Sequence, residues 1–300
     1  FQAEDGIRDS VASRGLGDVY KRQMDTDIPK QVTPLVRRIT AGNSGIFTGP
    51  GTNTYLIGND EVTVIDPGPA LPAHIEAITQ TSSHIKQILL THTHPDHSPG
   101  TKLLQDKIGV PVFALITDSS KDQDTTFTPE RMLSDGETLA SKDYSIEVIH
   151  TPGHASNHLC YLLKQEKLLF TGDHIMDGST VVISPPDGNM QEYIDSLLKL
   201  KKYDLNKIAP GHGELMDDPY TAVEWIVQHR MERESKVIEI LQLQKSGDLD
   251  TLVKDVYSDV DPILHPIAKW SLESHLIKLI NDGVAKRTNN KFIYIGDQPV

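Results

Sequence analysis

The chain has 300 residues, 37% of them hydrophobic and 24% charged, enough for one large domain with a real core or for a domain and a small appendage. A formal net charge of −13 favours solubility and argues against broad electrostatic attraction to nucleic acid or to an anionic membrane. The single cysteine, Cys160, excludes an internal disulfide, and no run approaches the ~20 apolar residues needed to cross a bilayer. No charged-then-apolar leader is visible, so a reducing cytoplasmic setting is expected, or the mitochondrial matrix in a eukaryote.

Residues 1–23 carry scattered Gly, Asp and Arg without apolar periodicity and read as an adapter-like leader joined ahead of Met24, outside the fold. Residues 36–40, 51–58 and 61–65 then read as strands, antiparallel neighbours joined by short turns such as Gly58-Asn59-Asp60. Asp66 stands at the end of the third run. It is either a turn-forming carboxylate or a group that orients a ligand histidine. Residues 72–80 are a helix candidate, and 85–90 a buried strand.

The next residues, Thr91-His92-Thr93-His94-Pro95-Asp96-His97, lie between that strand and a helix expected over 101–107. Imidazole nitrogens and carboxylates are the groups a zinc ion accepts. Four of them on one tight loop do not converge easily on one tetrahedral ion. They can serve two ions, His92 and His94 facing one, Asp96 and His97 the other. Metals roughly 3.5–4 Å apart suit hydrolysis.

Three later strand ends present matching groups. After strands at 110–114 and 144–149, separated by a polar, strand-poor excursion over 117–138, the turn Thr151-Pro152-Gly153-His154 offers His154 as third ligand of the first ion. The strand over 167–171 ends in Gly172-Asp173, whose two carboxylate oxygens can bridge both ions, and Ile208-Ala209-Pro210-Gly211 delivers His212 to the second. His150 reads as structural and His158 as a core residue or one that supports a ligand. His174 is expected to point away if the backbone is extended there, and Cys160 is expected in the core of strand 159–163.

The tail has apolar residues at helical spacing over 219–244 (Val223, Ile226, Val227, Val237, Ile238, Leu241), two further helix candidates at 248–258 and 266–281, and Gly283 as a cap. Residues 284–288 and 291–295 form an expected hairpin around Asn289-Asn290. This is a small winged-helix-like unit. Lys286, Arg287 and Lys291 could contact RNA, but from Pro219 onward there are ten bases and twelve acids, so a packing or homodimer role is the better reading.

The unbroken His-x-His-x-Asp-His at 92–97, with Gly-His at 153–154, Gly-Asp at 172–173 and Gly-His at 211–212, resembles the metallo-β-lactamase fold superfamily. Gly51-Thr52-Asn53-Thr54-Tyr55-Leu56, the tail and the length resemble its β-lactamase-like protein 2 group, over roughly residues 32 to 295, and residues 184–190 look like its bacterial members. The resemblance implies an α+β fold, an αββα sandwich with metals on one rim, as a catalytic domain over 24–218 followed by the winged-helix-like module over 219–300. It also implies two Zn²⁺ ions held by His92, His94 and His154 and by Asp96, His97 and His212, with Asp173 bridging, and Asp96 and Asp173 as the catalytic carboxylates. A metal-bridging hydroxide would attack a single-stranded RNA phosphodiester, as in an endoribonuclease of the group, or a small-molecule thioester or lactone. Iron-dependent sulfur dioxygenase chemistry and nucleic-acid binding around an inert site are the competing classes. No membrane partner is expected.

Overall fold

The computed structural model describes residues 25–117 and 123–296, so the leader over residues 1–23 lies outside the described chain. The chain divides into two compact units. The first holds residues up to Thr151, Asn157–Ser179 and Asp204–Pro219; the second holds Pro152–Ser156, Thr180–Tyr203 and the chain from Tyr220 onward.

The first unit is built on two sheets. The first sheet runs in sequence order through β1 (Lys30–Thr33), β2 (Val36–Thr40), β3 (Asn53–Ile57), β4 (Val62–Ile65), β5 (Ile85–Leu89), β6 (Val112–Ala114) and β7 (Arg131–Met132). β1 to β4 pair antiparallel through short connections. From β4 onward the pairing is parallel. Parallel pairing needs a crossover, supplied between β4 and β5 by α1 (Pro72–Thr81) and between β5 and β6 by α2 (Gly100–Ile108). The second sheet has β8 (Thr138–Ala140), β9 (Ser145–His150), β10 (Leu159–Leu163), β11 (Leu168–Gly172) and β12 (Lys207–Pro210) in the order β12-β11-β10-β9-β8, with β11 and β12 parallel.

Period-two alternation sorts the side chains. Tyr55, Ile57, Ile65 and Leu89 of the first sheet pack with Val148, Tyr161, Leu163, Phe170 and Ala209 of the second in one buried cluster. Leu56, Val62, Val64 and Ile88 face the other way and bury Ile75, Ile78 and Leu104 of α1 and α2. Every residue of β3 and β4 is buried, and the polar ones among them are paired: Asn53 donates to Pro210 O, Thr54 to Asp66 O, and Thr63 shares a hydrogen bond with the Tyr144 hydroxyl. Phe170 lies edge-on to Tyr55, ring centroids 5.0 Å apart, in the centre of the inter-sheet layer. Phe170→Ala is expected to cost about 3–5 kcal/mol in urea unfolding, and a loss below about 1 kcal/mol would mean the two sheets do not share one core.

In the second unit, α3 (Met190–Leu200) is absent from the elements expected from sequence. Its buried residues Met190, Tyr193, Ile194, Leu197 and Leu200 nevertheless carry the helical period, and the Asn189 side chain caps it by accepting from the backbone N–H groups of Gln191 and Glu192. The remainder is α4 (Pro219–Gln244), β13 (Ser246–Gly247), α5 (Leu249–Val256), a 3₁₀ turn at Pro262–Leu264, α6 (His265–Asn281), β14 (Ala285–Thr288) and β15 (Lys291–Tyr294). The strands form a small sheet in the order β13-β15-β14. Val237 and Leu241 of α4, Leu252 and Val256 of α5, Leu272, Leu276 and Leu279 of α6 and Phe292 of β15 close one core. Asn289 takes φ 55° in the hairpin turn, a conformation that Asn tolerates and a two-residue hairpin requires.

Candidate metal centre

The parallel pairs of the first unit decide where its functional loops leave. Ile65 is opposite Leu89, so Asp66 and the 91–97 loop emerge side by side at the carboxyl ends of β4 and β5. Gly172 is opposite Pro210, so Asp173 and His212 emerge together from β11 and β12. The two sheets are tied at this edge, where Asn53 N–H donates to Gly211 O at 2.8 Å and Thr52 bridges to His212. Gly211 has no room for a side chain, because a Cβ there would lie 2.7 Å from both Asp173 Oδ1 and His97 Cε1.

This brings together Asp96, His97, Asp173 and His212, each offering a ligand atom within 4.8 Å of the others. Asp173 Oδ1 lies 3.1 Å from His97 Nε2 and 3.2 Å from His212 Nε2. Asp96 Oδ2 lies 3.4 and 3.2 Å from the same nitrogens. His97 is fully buried, His212 nearly so, and Asp96 is the most open of the four, its side chain 25% exposed.

The outer hydrogen bonds set which nitrogen faces inward. His212 Nδ1 donates to the carbonyl of Gly51 at 3.1 Å, so in the neutral ring its Nε2 carries the lone pair. Gly51 has φ 137°, and a Cβ there would stand 2.1 Å from Ala41 O, so only glycine can present this carbonyl. His97 Nδ1 donates to Asp66 Oδ2 at 2.9 Å. The Thr91 hydroxyl gives its one proton to the same Asp66 oxygen at 2.6 Å. It must therefore accept from His92 Nδ1, 3.0 Å away, which leaves the lone pair of His92 on Nε2 as well. In the second unit, His154 Nδ1 donates to Val182 O at 2.7 Å, with the same consequence. Imidazoles tied through Nδ1, with Nε2 of His97 and His212 turned toward Asp96 and Asp173, are what a divalent cation with N and O ligands requires, so the donor set fits a metal.

The electrostatics agree. Burial alone would lower His97 and His212, but the facing carboxylates outweigh it. Asp96 and Asp173 raise His97 well above its ordinary value, and Asp173 with Asp96 raises His212 to about 9. Burial would raise the carboxyls, but the two imidazoles outweigh that and hold Asp96 below and Asp173 well below the usual carboxylate range. A cation would compete with these protons for the same lone pairs, so its binding releases protons. His92 is pushed well below its ordinary value by burial and by His97, His94 and His158 nearby, so its ring stays neutral.

The other residues named from sequence fall as follows. His94 stands edge-on to His92, ring centroids 4.5 Å apart. His154 sits on the Pro152–Ser156 turn of the second unit. Asp66 is a partner of a cluster histidine rather than a mere turn residue. His158 is fully buried, 5.0 Å from His92 between ring centroids. The backbone at His174 is turned, not extended, since its N–H donates to Thr171 O at 2.8 Å; the ring is buried 5.8 Å from that of His158. Cys160 is buried in β10. Arg287, one of the three candidate RNA contacts, pairs with Glu273 at 3.1 Å and lies over the Phe292 ring, whereas Lys286 and Lys291 are exposed.

Sequence reasoning did not single out Thr91, the Gly51 carbonyl or Asn157. The fully buried Asn157 side chain donates to Thr93 Oγ1 at 2.7 Å and to Gln123 Oε1 at 2.8 Å, and so pins the loop between His92 and His94. A polar side chain two residues ahead of an apolar strand was the visible signal for Asn157; a backbone carbonyl leaves none.

Comparison with known proteins gives a consistent set. The metallo-beta-lactamase superfamily model matches residues 47–212, and that of the beta-lactamase associated winged helix domain matches 249–292. A Beta-lactamase-like protein 2 homolog of Caenorhabditis elegans is 31% identical over 278 residues, 89% of this chain and 92% of its own. An atrochrysone carboxyl ACP thioesterase of Aspergillus chevalieri is 30% identical over 269 residues, 84% of this chain and 83% of its own. The crystal structure of a beta-lactamase domain protein from Burkholderia ambifaria superposes with a TM-score of 0.78 at 17% identity, covering 92% of this chain and 96% of that one, which bears on fold alone. Among the described residues no helix is long and apolar enough to cross a membrane.

Proposed function

We propose that this chain, which belongs to the metallo-β-lactamase superfamily and carries its associated winged helix domain, is a two-zinc hydrolase of acyl thioesters. It is a metal-dependent hydrolase; the two ions, their identity and the substrate are the proposal. The observation that carries it is the Asp96, His97, Asp173 and His212 group, with His97 and His212 anchored through Nδ1. In this reading His97, His212 and Asp96 hold one ion, His92, His94 and His154 hold the other, and Asp173 serves both. In chain order the proposed catalytic domain spans 24–218 and the tail module 219–300, although residues 152–156 and 180–203 group with the tail.

Bound zinc lowers the pKa of water to about 7 and stabilises negative charge on a substrate oxygen. The chain itself supplies orientation. Asp66 aims His97, Gly51 aims His212, and Asn157 steadies the loop that carries His94. Asp96, the most open of the four, meets the incoming substrate. The thioester preference is supported by the thioesterase among the relatives and by the net charge of −13, which disfavours a polyanion. Cleavage of single-stranded RNA is the second reading, favoured by the exposed Lys286 and Lys291 on the hairpin.

The test is purified, metal-analysed protein run against acyl-thioester, lactone, β-lactam and single-stranded RNA substrates. Thioester hydrolysis is expected, lost on chelation and restored by Zn²⁺. Turnover of RNA alone would replace the first reading by the second. Iron with sulfur oxygenation would replace both.

A further inference from the structure

The turn that carries His154 belongs, by its contacts, with the helices of the second unit. Pro152 O accepts from Ser196 Oγ and Gly153 O from Asn189 N–H, each at 2.8 Å. Buried Asp187 accepts from Ser156 through both its N–H, at 3.1 Å, and its hydroxyl. The imidazole itself donates from Nδ1 to Val182 O at 2.7 Å.

Val182 lies in a stretch with no regular secondary structure, between the buried residues Val181 and Ile183. Backbone groups in such a stretch need partners from elsewhere. Val181 O accepts from Arg230 Nη2 of α4, and Ile183 N–H donates to Ser271 Oγ of α6 at 3.4 Å. Arg230 is itself buried, its guanidinium 5.4 Å over the Tyr193 ring of α3. The peptide groups on both sides of Val182 are thus held by the helices that lead into and build the tail module. The Arg230 bond is the charge-assisted, stronger one.

We propose that Arg230, seconded by Ser271, is a positioning residue for the metal ligand His154: it sets the register of residues 181–183, whose central carbonyl turns the His154 ring. The tail module then has a part in aiming this one ligand, whether or not it binds anything itself. This rests on the reading of His154 as a ligand.

The test uses the full chain and reads zinc affinity by competition with a chelating indicator, with melting temperature and far-UV circular dichroism as controls. Arg230→Met keeps the apolar stem and removes the donors. It is expected to weaken one of the two ions by about tenfold, the low end of what outer partners of a ligand contribute, and to leave the other unchanged. Arg230→Lys is expected to recover part of the loss, and Ser271→Ala to weaken the same ion less. His154→Ala separates the two ideas. Wild-type affinity for both ions in that variant removes His154 as a ligand and leaves the positioning idea without an object. Loss of an ion in His154→Ala, with wild-type affinities in Arg230→Met and Ser271→Ala, overturns the positioning role alone. An equal loss of both ions that tracks a lowered melting temperature also overturns it. Should Arg230→Met not fold, Arg230→Lys and Ser271→Ala decide, and wild-type affinities in both overturn the proposal.

Discussion

Asp173→Asn is expected to lose bound metal and hydrolysis together while the fold persists. One oxygen of this carboxylate stands 3.1 and 3.2 Å from the Nε2 atoms of His97 and His212, and the two rings hold it ionised against the cost of burial. The amide keeps the shape, removes the charge and turns one acceptor into a donor. Even outer partners of metal ligands are worth about 10–100-fold in affinity or activity, so removing a direct ligand should cost at least roughly a hundredfold in each. His94→Ala is expected to behave alike. Both residues lie outside the two buried apolar clusters of the first unit, so far-UV circular dichroism should remain native. Full turnover with metal retained in either variant would dispose of the two-ion mechanism.

Asp66 is the second position of large effect, and its two substitutions should behave differently. The residue is buried, has φ 51°, and accepts three hydrogen bonds: Thr91 N–H at 2.8 Å on Oδ1, and the Thr91 hydroxyl and His97 Nδ1 on Oδ2. Asp66→Ala strands all three donors. Each unsatisfied buried donor costs about 1–3 kcal/mol and the left-handed backbone costs alanine about 1–2 kcal/mol more, so a loss of at least roughly 4 kcal/mol is expected in urea unfolding. Against a total stability of about 5–15 kcal/mol that is a large fraction. Asp66→Asn tolerates the positive φ and keeps an oxygen for Thr91 N–H, but it sets an NH₂ against two donors. It should fold and bind zinc about 10–100-fold more weakly. Wild-type zinc affinity in Asp66→Asn would show that the orientation of His97 does not depend on the charge behind it.

What could be read without coordinates was local. The spacing of His92, His94, Asp96 and His97 on one loop, the turns ahead of His154, Asp173 and His212, and the apolar periods of the strands and the long helix over 219–244 are properties of neighbouring residues, because side-chain direction follows the backbone period. The helix at Met190–Leu200 is equally local, since its apolar period and its Asn189 cap lie within one short stretch of sequence.

Tertiary structure alone decided how those residues are aimed. Whether Asp66 turns a chain or steers a ring depends on β4 lying parallel to β5 in a register that sets Ile65 against Leu89. That Gly51 offers its carbonyl to His212, Val182 its own to His154, and Glu273 its charge to Arg287 could not be inferred from residue types. A main-chain carbonyl is the same in every residue, and its partner is chosen by pairings that span 28 positions in one case and 161 in another. Sequence names the chemical groups available; only the closed chain determines which lone pair of each imidazole faces the others.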